Sequence, residues 1–224
     1  SIHFAWGKVM IADVCDTSNC TRIVFTGGPC AGKSTFVYRV KQRLAAHGVR
    51  ALVVPEVPTL FVNCGARFED LDNDEKLLEF QVHQLLTQLH LEDAVRSVGQ
   101  LSGEPVVLLL DRGTLDGAAY VTPEQWTTVL RRAGVPDGDV AWHRYHCVIH
   151  LVSAACGAES FYGTDGHESR FESLEEARET ERRTSDAWAS HPNVHIIDNS
   201  SDFEGKFERA WSVVRRVCLD VVLQ

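Results

Sequence analysis

Between a short β-branched run at residues 22–26 and an amphipathic helical pattern, the chain reads Gly27-Gly28-Pro29-Cys30-Ala31-Gly32-Lys33-Ser34, with Thr35 next. This is a complete GxxxxGK[ST] pattern, and its chemistry requires a strand before it and a helix after it. The glycines let successive backbone N–H groups turn inward around a phosphate chain. Lys33 adds a point charge near the β/γ-phosphates, and the Ser34 hydroxyl is placed to ligate Mg²⁺. Both flanks are present: Phe36, Val37, Val40 and Leu44 recur at helical spacing, and Gly48 ends that helix. Residues Gly27 to Thr35 are therefore expected to hold a nucleotide.

The motif belongs to α/β folds, and the rest of the chain agrees. Apolar or β-branched runs at 22–26, 50–54, 105–110, 147–152 and 193–197 alternate with helical patterns, which predicts a parallel sheet covered on both faces. Val106-Val107-Leu108-Leu109-Leu110 is continuously apolar, as a central strand should be. Helix starts are marked at Thr122-Pro123-Glu124-Gln125, closed by Gly134, and at Ser173-x-x-Glu176, running to about residue 189. Asp72-Asn73-Asp74 opens a long helix to about residue 98, and residues 207–222 read as a C-terminal amphipathic helix.

No repeat, low-complexity tract or linker divides the 224 residues, and 44% apolar content suffices for one core. The expected organisation is an N-terminal extension, 1–20, and one domain, 21–224, with a lid around 160–185. A net charge of −9 argues against a nucleic-acid partner, since such proteins carry basic surfaces. Seven cysteines at 15, 20, 30, 64, 147, 156 and 218 form no CxxC or zinc spacing, which fits free thiols in a reducing cytosol. No apolar run approaches the ~20 residues that span a bilayer, and no signal-peptide pattern opens the chain. A cytoplasmic protein without an integral membrane segment is expected.

Ligands of such folds sit at the carboxyl ends of the strands. The third run ends in Asp111-Arg112-Gly113, the Walker B position, where Asp111 would hold Mg²⁺ and Arg112 would clamp a phosphate or carboxylate. Asp116 and Tyr120 follow, either lining the same mouth or forming the turn. The second run ends at Glu56, a candidate base or acceptor of a substrate hydroxyl. Gln81, Gln84, Gln88 and Glu92 form one polar helical stripe, read either as a solvated face, favoured for Gln84, or as substrate contacts from Gln81 and Gln88. The lid segment carries Arg170, and the helix after it Arg178, Arg182 and Arg183. These are candidates for neutralising transferring phosphate charge, unless Glu175–Arg178 and Glu179–Arg183 simply pair along the helix.

TGGPCAGKST, VPE, FQ, DRGTLDGAAY, RFESLEEARETERR and IIDNS…FEGKFER together resemble the NadR-like P-loop ATPase domain, AAA domain family 28, over nearly the whole chain. That family includes the kinase half of a bacterial ribosylnicotinamide kinase and the GTP-binding domain of the TRPL translocation defect protein. The resemblance extends to nucleoside and nucleotide kinases, and implies a three-layer P-loop NTPase with a five-stranded parallel sheet of order 2-3-1-4-5. It also carries over Asp111-Arg112 as the DR pair, Glu56 as the acidic residue after strand two, and Asn199 in the nucleotide-base loop.

The function expected is a Mg-ATP-dependent kinase acting on a nucleoside-like acceptor, with Lys33, Asp111, Arg112, Glu56, Arg178 and Arg182 as catalytic candidates. The alternative is a GTP- or ATP-binding switch with slow hydrolysis, acting in trafficking. No NKxD guanine-reading motif is present, so GTP is not favoured over ATP. A hexameric AAA motor finds no support, since no helical lid domain or arginine-finger segment is identifiable.

Overall fold

The computed structural model describes residues 19–135, 143–162 and 173–222, of which the side chains at 219–222 are left aside. Five strands form one parallel sheet: β1 (Cys20–Thr26), β2 (Arg50–Val54), β3 (Val106–Asp111), β4 (Cys147–Leu151) and β5 (Val194–Ile197). Their order is β2-β3-β1-β4-β5, the 2-3-1-4-5 arrangement that the resemblance implied. The central strands β1 and β3 are buried at every residue, Thr21, Arg22 and Thr26 included, whereas the edge strands β2 and β5 are partly accessible.

Helices cover both faces: α1 (Lys33–Ala46), α2 (Val57–Asn63), α3 (Asp74–Gln100), α4 (Pro123–Ala133), α5 (Leu174–Trp188) and α6 (Phe203–Val222). Alternation along the strands divides the core. Ile23, Phe25, Leu109 and Ile149 pack against Phe36, Val40 and Leu44 of α1 and Phe207, Trp211 and Val214 of α6. Val24, Leu108, Leu110 and Val148 face the other way, onto Leu91 and Val95 of α3 and Trp188 of α5. The result is a three-layer α/β fold.

The element ends are set by side chains close to the predicted positions. Thr122 accepts from the Gln125 N–H and starts α4, and Gly134, at φ 70°, ends it. Ser173 does the same for α5 through Glu176, and Asn73 caps α3. Two element starts and one short helix differ from expectation. β1 begins at Cys20, which pairs with Val106, so residue 20 belongs to the domain and not to the extension. α6 begins at Phe203, because Asp202 accepts the Gly205 N–H at 2.8 Å and Phe203 packs edge-on against Phe36. The short α2, with Pro58 in its first turn, carries no sequence signal used above.

Residues 1–18 of the extension and residues 163–172 of the 160–185 lid range, including Arg170, lie outside the described residues. No described helix is long and apolar enough to cross a membrane.

Candidate functional site

The carboxyl ends of all five strands bring the candidate residues to one edge of the sheet. The phosphate loop leaves β1 and delivers the chain into α1, whose first residue is Lys33. Gly27 has φ 133° and Gly32 φ 85°, and a Cβ at Gly27 would lie 2.0 Å from the Leu151 carbonyl oxygen. Only glycine fits there. Cys30 is also left-handed, at φ 54°, although it carries a side chain.

A helix N-terminus with inward amides is an anion site. The Lys33 ammonium folds back onto it, donating to the carbonyl oxygens of Gly27 (3.0 Å) and Gly28 (2.9 Å). Close packing and the Arg112 charge push Lys33 down to about 8, against the pull of Glu56, Asp111 and Asp116.

Asp111 is the last residue of β3, level with Phe25 of β1. The Ser34 hydroxyl donates to its Oδ2 at 2.6 Å, while its buried Oδ1 accepts nothing among the described residues. Burial raises its carboxyl above the ordinary range, more than Ser34 and Lys33 lower it. A hydroxyl and a carboxylate with a vacant buried oxygen, beside the phosphate loop, suit a hard divalent cation. Ser34 and Asp111 would hold Mg²⁺.

Arg112 stands at φ 72°, an uncommon conformation for a residue of its size. Its N–H bonds to the Phe25 carbonyl, and its own carbonyl accepts from Gln88 Nε2 at 3.3 Å. The guanidinium is clamped between carboxylates, with Nε donating to Glu56 and Nη1 to Asp116 at 3.0 Å. Burial would raise the Glu56 carboxyl, but the Arg112 charge and the hydroxyl of Thr59 hold it down near 2. Asp116 is fully buried and accepts four donors: Thr26 Oγ1, Arg112 Nη1, the Gly113 N–H and Trp188 Nε1. It builds the turn and holds Arg112.

The glutamine stripe of α3 corrects the sequence reading. Gln81, Gln84, Gln88 and Glu92 are all buried, so the solvated-face alternative fails. The turn after β3 lies over them: Gly117 approaches Gln81 so closely that a Cβ there would sit 2.6 Å from its Oε1. Gln81, Gln84, Gln88, Arg112, Thr114 and Trp126 line a small pocket beside the clamp. Within it, Gln81 Oε1 accepts no hydrogen bond from the described residues. Gln88 instead ties Arg112 to Glu92, whose carboxylate also accepts from the Tyr145 hydroxyl (2.8 Å) and Arg144 Nε (3.2 Å).

The arginines of α5 stand apart from this clamp. Arg178 donates to the Ala155 carbonyl and to Glu159, so the Glu175–Arg178 pairing does not form. The chain folds residue 159 back over the helix, and Arg178 takes the carboxylate that also accepts the Gly157 N–H. Arg182 pairs with Glu179 and Asp186 along its own helix, and Arg183 with Glu179. Asn199, from the turn after β5, spends its amide on structure: Nδ2 donates to the Ser153 and Cys156 carbonyls, and Oδ1 accepts from Lys206. Burial pushes Lys206 down to about 8.

Sequence reasoning missed Glu181, His150 and Ser153. Glu181 Oε2 accepts the Gly28 N–H at 2.7 Å and the Ser153 N–H at 3.1 Å, and Oε1 lies 2.6 Å from His150 Nε2. Burial would raise its carboxyl, but His150 and the two backbone donors hold it below the usual range. The available signal was spacing: Ala177, Glu181, Thr184 and Trp188 share one helical face, and all are buried.

Taken together, the strand order, the loop and the Ser34–Asp111 pair make this a nucleotide-binding P-loop domain. A family model described as an AAA domain (AAA_28) matches residues 22–206, from β1 to the first turn of α6. No curated protein matches the chain. With most of its length under that match and the loop in its expected place, the chain belongs to this AAA-domain family.

Proposed function

We propose that the protein is a Mg-ATP-dependent kinase that transfers a γ-phosphoryl group to a hydroxyl of a small, nucleoside-like acceptor. The observation that carries this reading is the second half of the cleft. A nucleotide site needs only the loop, Ser34 and Asp111, yet beside them stand the Glu56–Arg112–Asp116 clamp and buried glutamine amides around a cavity of about 10 Å³, whose walls must part to admit an acceptor. Gln81 presents an unengaged carbonyl oxygen there, suited to an N–H donor on an acceptor. The likeness to NadR-like kinases points to the same acceptor class.

In this mechanism the loop from Gly27 to Thr35 wraps the triphosphate, the backbone N–H groups from Cys30 onward and the Lys33 ammonium bind it, and the Gly28 N–H stays on Glu181. Ser34 and Asp111 would hold Mg²⁺, whose chemistry when bound would be to neutralise charge on the triphosphate. The acceptor oxygen attacks the γ-phosphorus, the bond to the β,γ-bridging oxygen breaks, and ADP leaves. Glu56, ionised down to about pH 2 and bonded to Arg112, is a weak proton acceptor. It acts by orienting the acceptor hydroxyl and the guanidinium, and the hydroxyl proton departs to Asp111 or to solvent. Arg112 meets the charge that develops on the transferring group. Arg178 and Arg182 add positive field from α5, and Asn199 shapes the loop beside the nucleotide base.

The test is product formation from ATP and Mg²⁺ across a panel of nucleosides that includes ribosylnicotinamide. Acceptor-dependent ADP release with a phosphorylated product supports the reading. Slow hydrolysis unaffected by every acceptor would replace it with the nucleotide-switch alternative.

A further inference from the structure

The phosphate loop carries an unusual density of uncommon backbone. Gly27, Cys30 and Gly32 all have positive φ within six residues, and at Cys30 that conformation is not free. Such a backbone persists only where its surroundings over-determine it. Among the described residues, two supports reach residues 28, 29 and 30 from outside the loop. Glu181 accepts the Gly28 N–H. Ser153, after β4, donates its hydroxyl to the Pro29 carbonyl, and the next N–H, of Ala154, bonds the Cys30 carbonyl at 3.4 Å.

These two supports meet, because the same Glu181 oxygen also accepts the Ser153 N–H. A carboxylate buried on the apolar face of a helix is unfavourable unless its oxygens are bonded. Here both oxygens are, to three donors from three different elements.

We propose that Glu181 is a positioning residue for nucleotide binding, fastening α5 to the phosphate loop and holding that loop in its phosphate-accepting shape. The approach is close: a Cβ at residue 28 would lie 2.7 Å from Glu181 Oε2 and 3.1 Å from its Cα, so any side chain there must push α5 away. Helix α5 is then a fixed wall of the site. Its other hook, Trp188 on Asp116, fastens it to the acceptor clamp as well, so donor and acceptor halves share one support.

The test compares Glu181→Met, which keeps length and removes every acceptor, with Glu181→Gln. The glutamine retains an oxygen for the Gly28 and Ser153 amides, and its NH₂ can face His150 Nε2 once the imidazole proton moves to Nδ1. The readout is the dissociation constant of fluorescent ATP and GTP analogues with Mg²⁺, at a temperature where thermal unfolding shows each variant folded. The methionine variant is expected to weaken both nucleotides by about tenfold or more, with the glutamine variant close to the parent. Parent-like affinity in folded Glu181→Met, or equal weakening in both, overturns the proposal. If Glu181→Met does not fold, Glu181→Asp carries the test. It keeps the charge but withdraws the oxygens from Gly28, so undiminished affinity there also overturns it. Because nucleotide affinity is measured and not transfer, a failure of the kinase reading appears separately, as a parent that binds ATP without phosphorylating any acceptor.

Discussion

The two walls of the cleft are built on opposite plans. On the phosphate-loop wall the binding groups are backbone amides and one lysine that rests on carbonyls of its own loop. On the opposite wall the charged groups satisfy one another: Arg112 lies between Glu56 and Asp116, and Asp116 takes four donors with no exposure at all. The first wall is poised for a ligand. The second is locked, and a ligand acts on it by competing with bonds already made. The difference predicts that removing a charged group from the locked wall damages the fold, whereas removing the ligand-facing lysine from the poised wall damages binding.

Asp116→Ala should have the largest effect. It leaves Arg112 short of one carboxylate and strands the Trp188 N–H and the Thr26 hydroxyl in a dry interior. Breaking one side of a buried pair costs roughly 3–5 kcal/mol, to be read from urea denaturation. A loss below about 1 kcal/mol would mean that this wall is not locked. Lys33→Ala should show the reverse pattern. Its denaturation midpoint should stay near the parent's, while ATP turnover falls by about 10²–10³-fold, the loss typical of one electrostatic donor to the reacting group.

The poised wall was the legible one. Its groups are contiguous in sequence, and each conformation is written in a glycine or in the helix start that follows. The strands were legible for a similar reason, since unbroken runs such as Val106–Leu110 can only be buried. The locked wall was partly hidden because burial there depends on distant residues. Nothing local to α3 says that its glutamines lie under Gly117, or that Tyr145 and Arg144 reach Glu92. A polar stripe on a 27-residue helix looks solvated until those partners are placed. Glu181 was hidden the same way, although its register with Ala177, Thr184 and Trp188 marked it as a charge on a buried face.

Acid should separate the walls as well. The Glu56 carboxyl lies near 2 in the fold against about 4.3 in an unfolded chain. Between those values the unfolded state binds more protons, so this contribution to stability is complete above about pH 4.3. It is lost as pH falls toward 2. Glu56→Gln should therefore flatten that part of the stability–pH curve, by an amount on the order of 2–3 kcal/mol. An unchanged acid limb would break the assignment of Glu56 to the locked wall. Gly28→Ala should follow at about 1–3 kcal/mol, the usual cost of overpacking. The new methyl would meet Glu181 Oε2 at 2.7 Å and its Cβ at 3.0 Å. The gap should shrink in the double variant Gly28→Ala, Glu181→Ala, which a denaturation cycle would detect.

The smallest effect is expected on α5, at Arg182. Its side chain is 61% exposed, and its partners Glu179 and Asp186 belong to the same helix. Ion pairs of this kind contribute little to stability, so Arg182→Ala should leave the denaturation midpoint unmoved. On the proposed phosphoryl transfer its influence would be that of a charge acting across solvent, and such fields are screened within about 10 Å at 0.1 M salt. Transfer should therefore fall severalfold at low ionic strength, with parent and variant converging as salt is raised. A large loss that persists in high salt would require the guanidinium to leave Glu179 and Asp186 and contact the transferring group itself. That outcome would turn α5 from a fixed wall with a favourable field into a third reacting face, and the two-wall comparison would have to be redrawn around it.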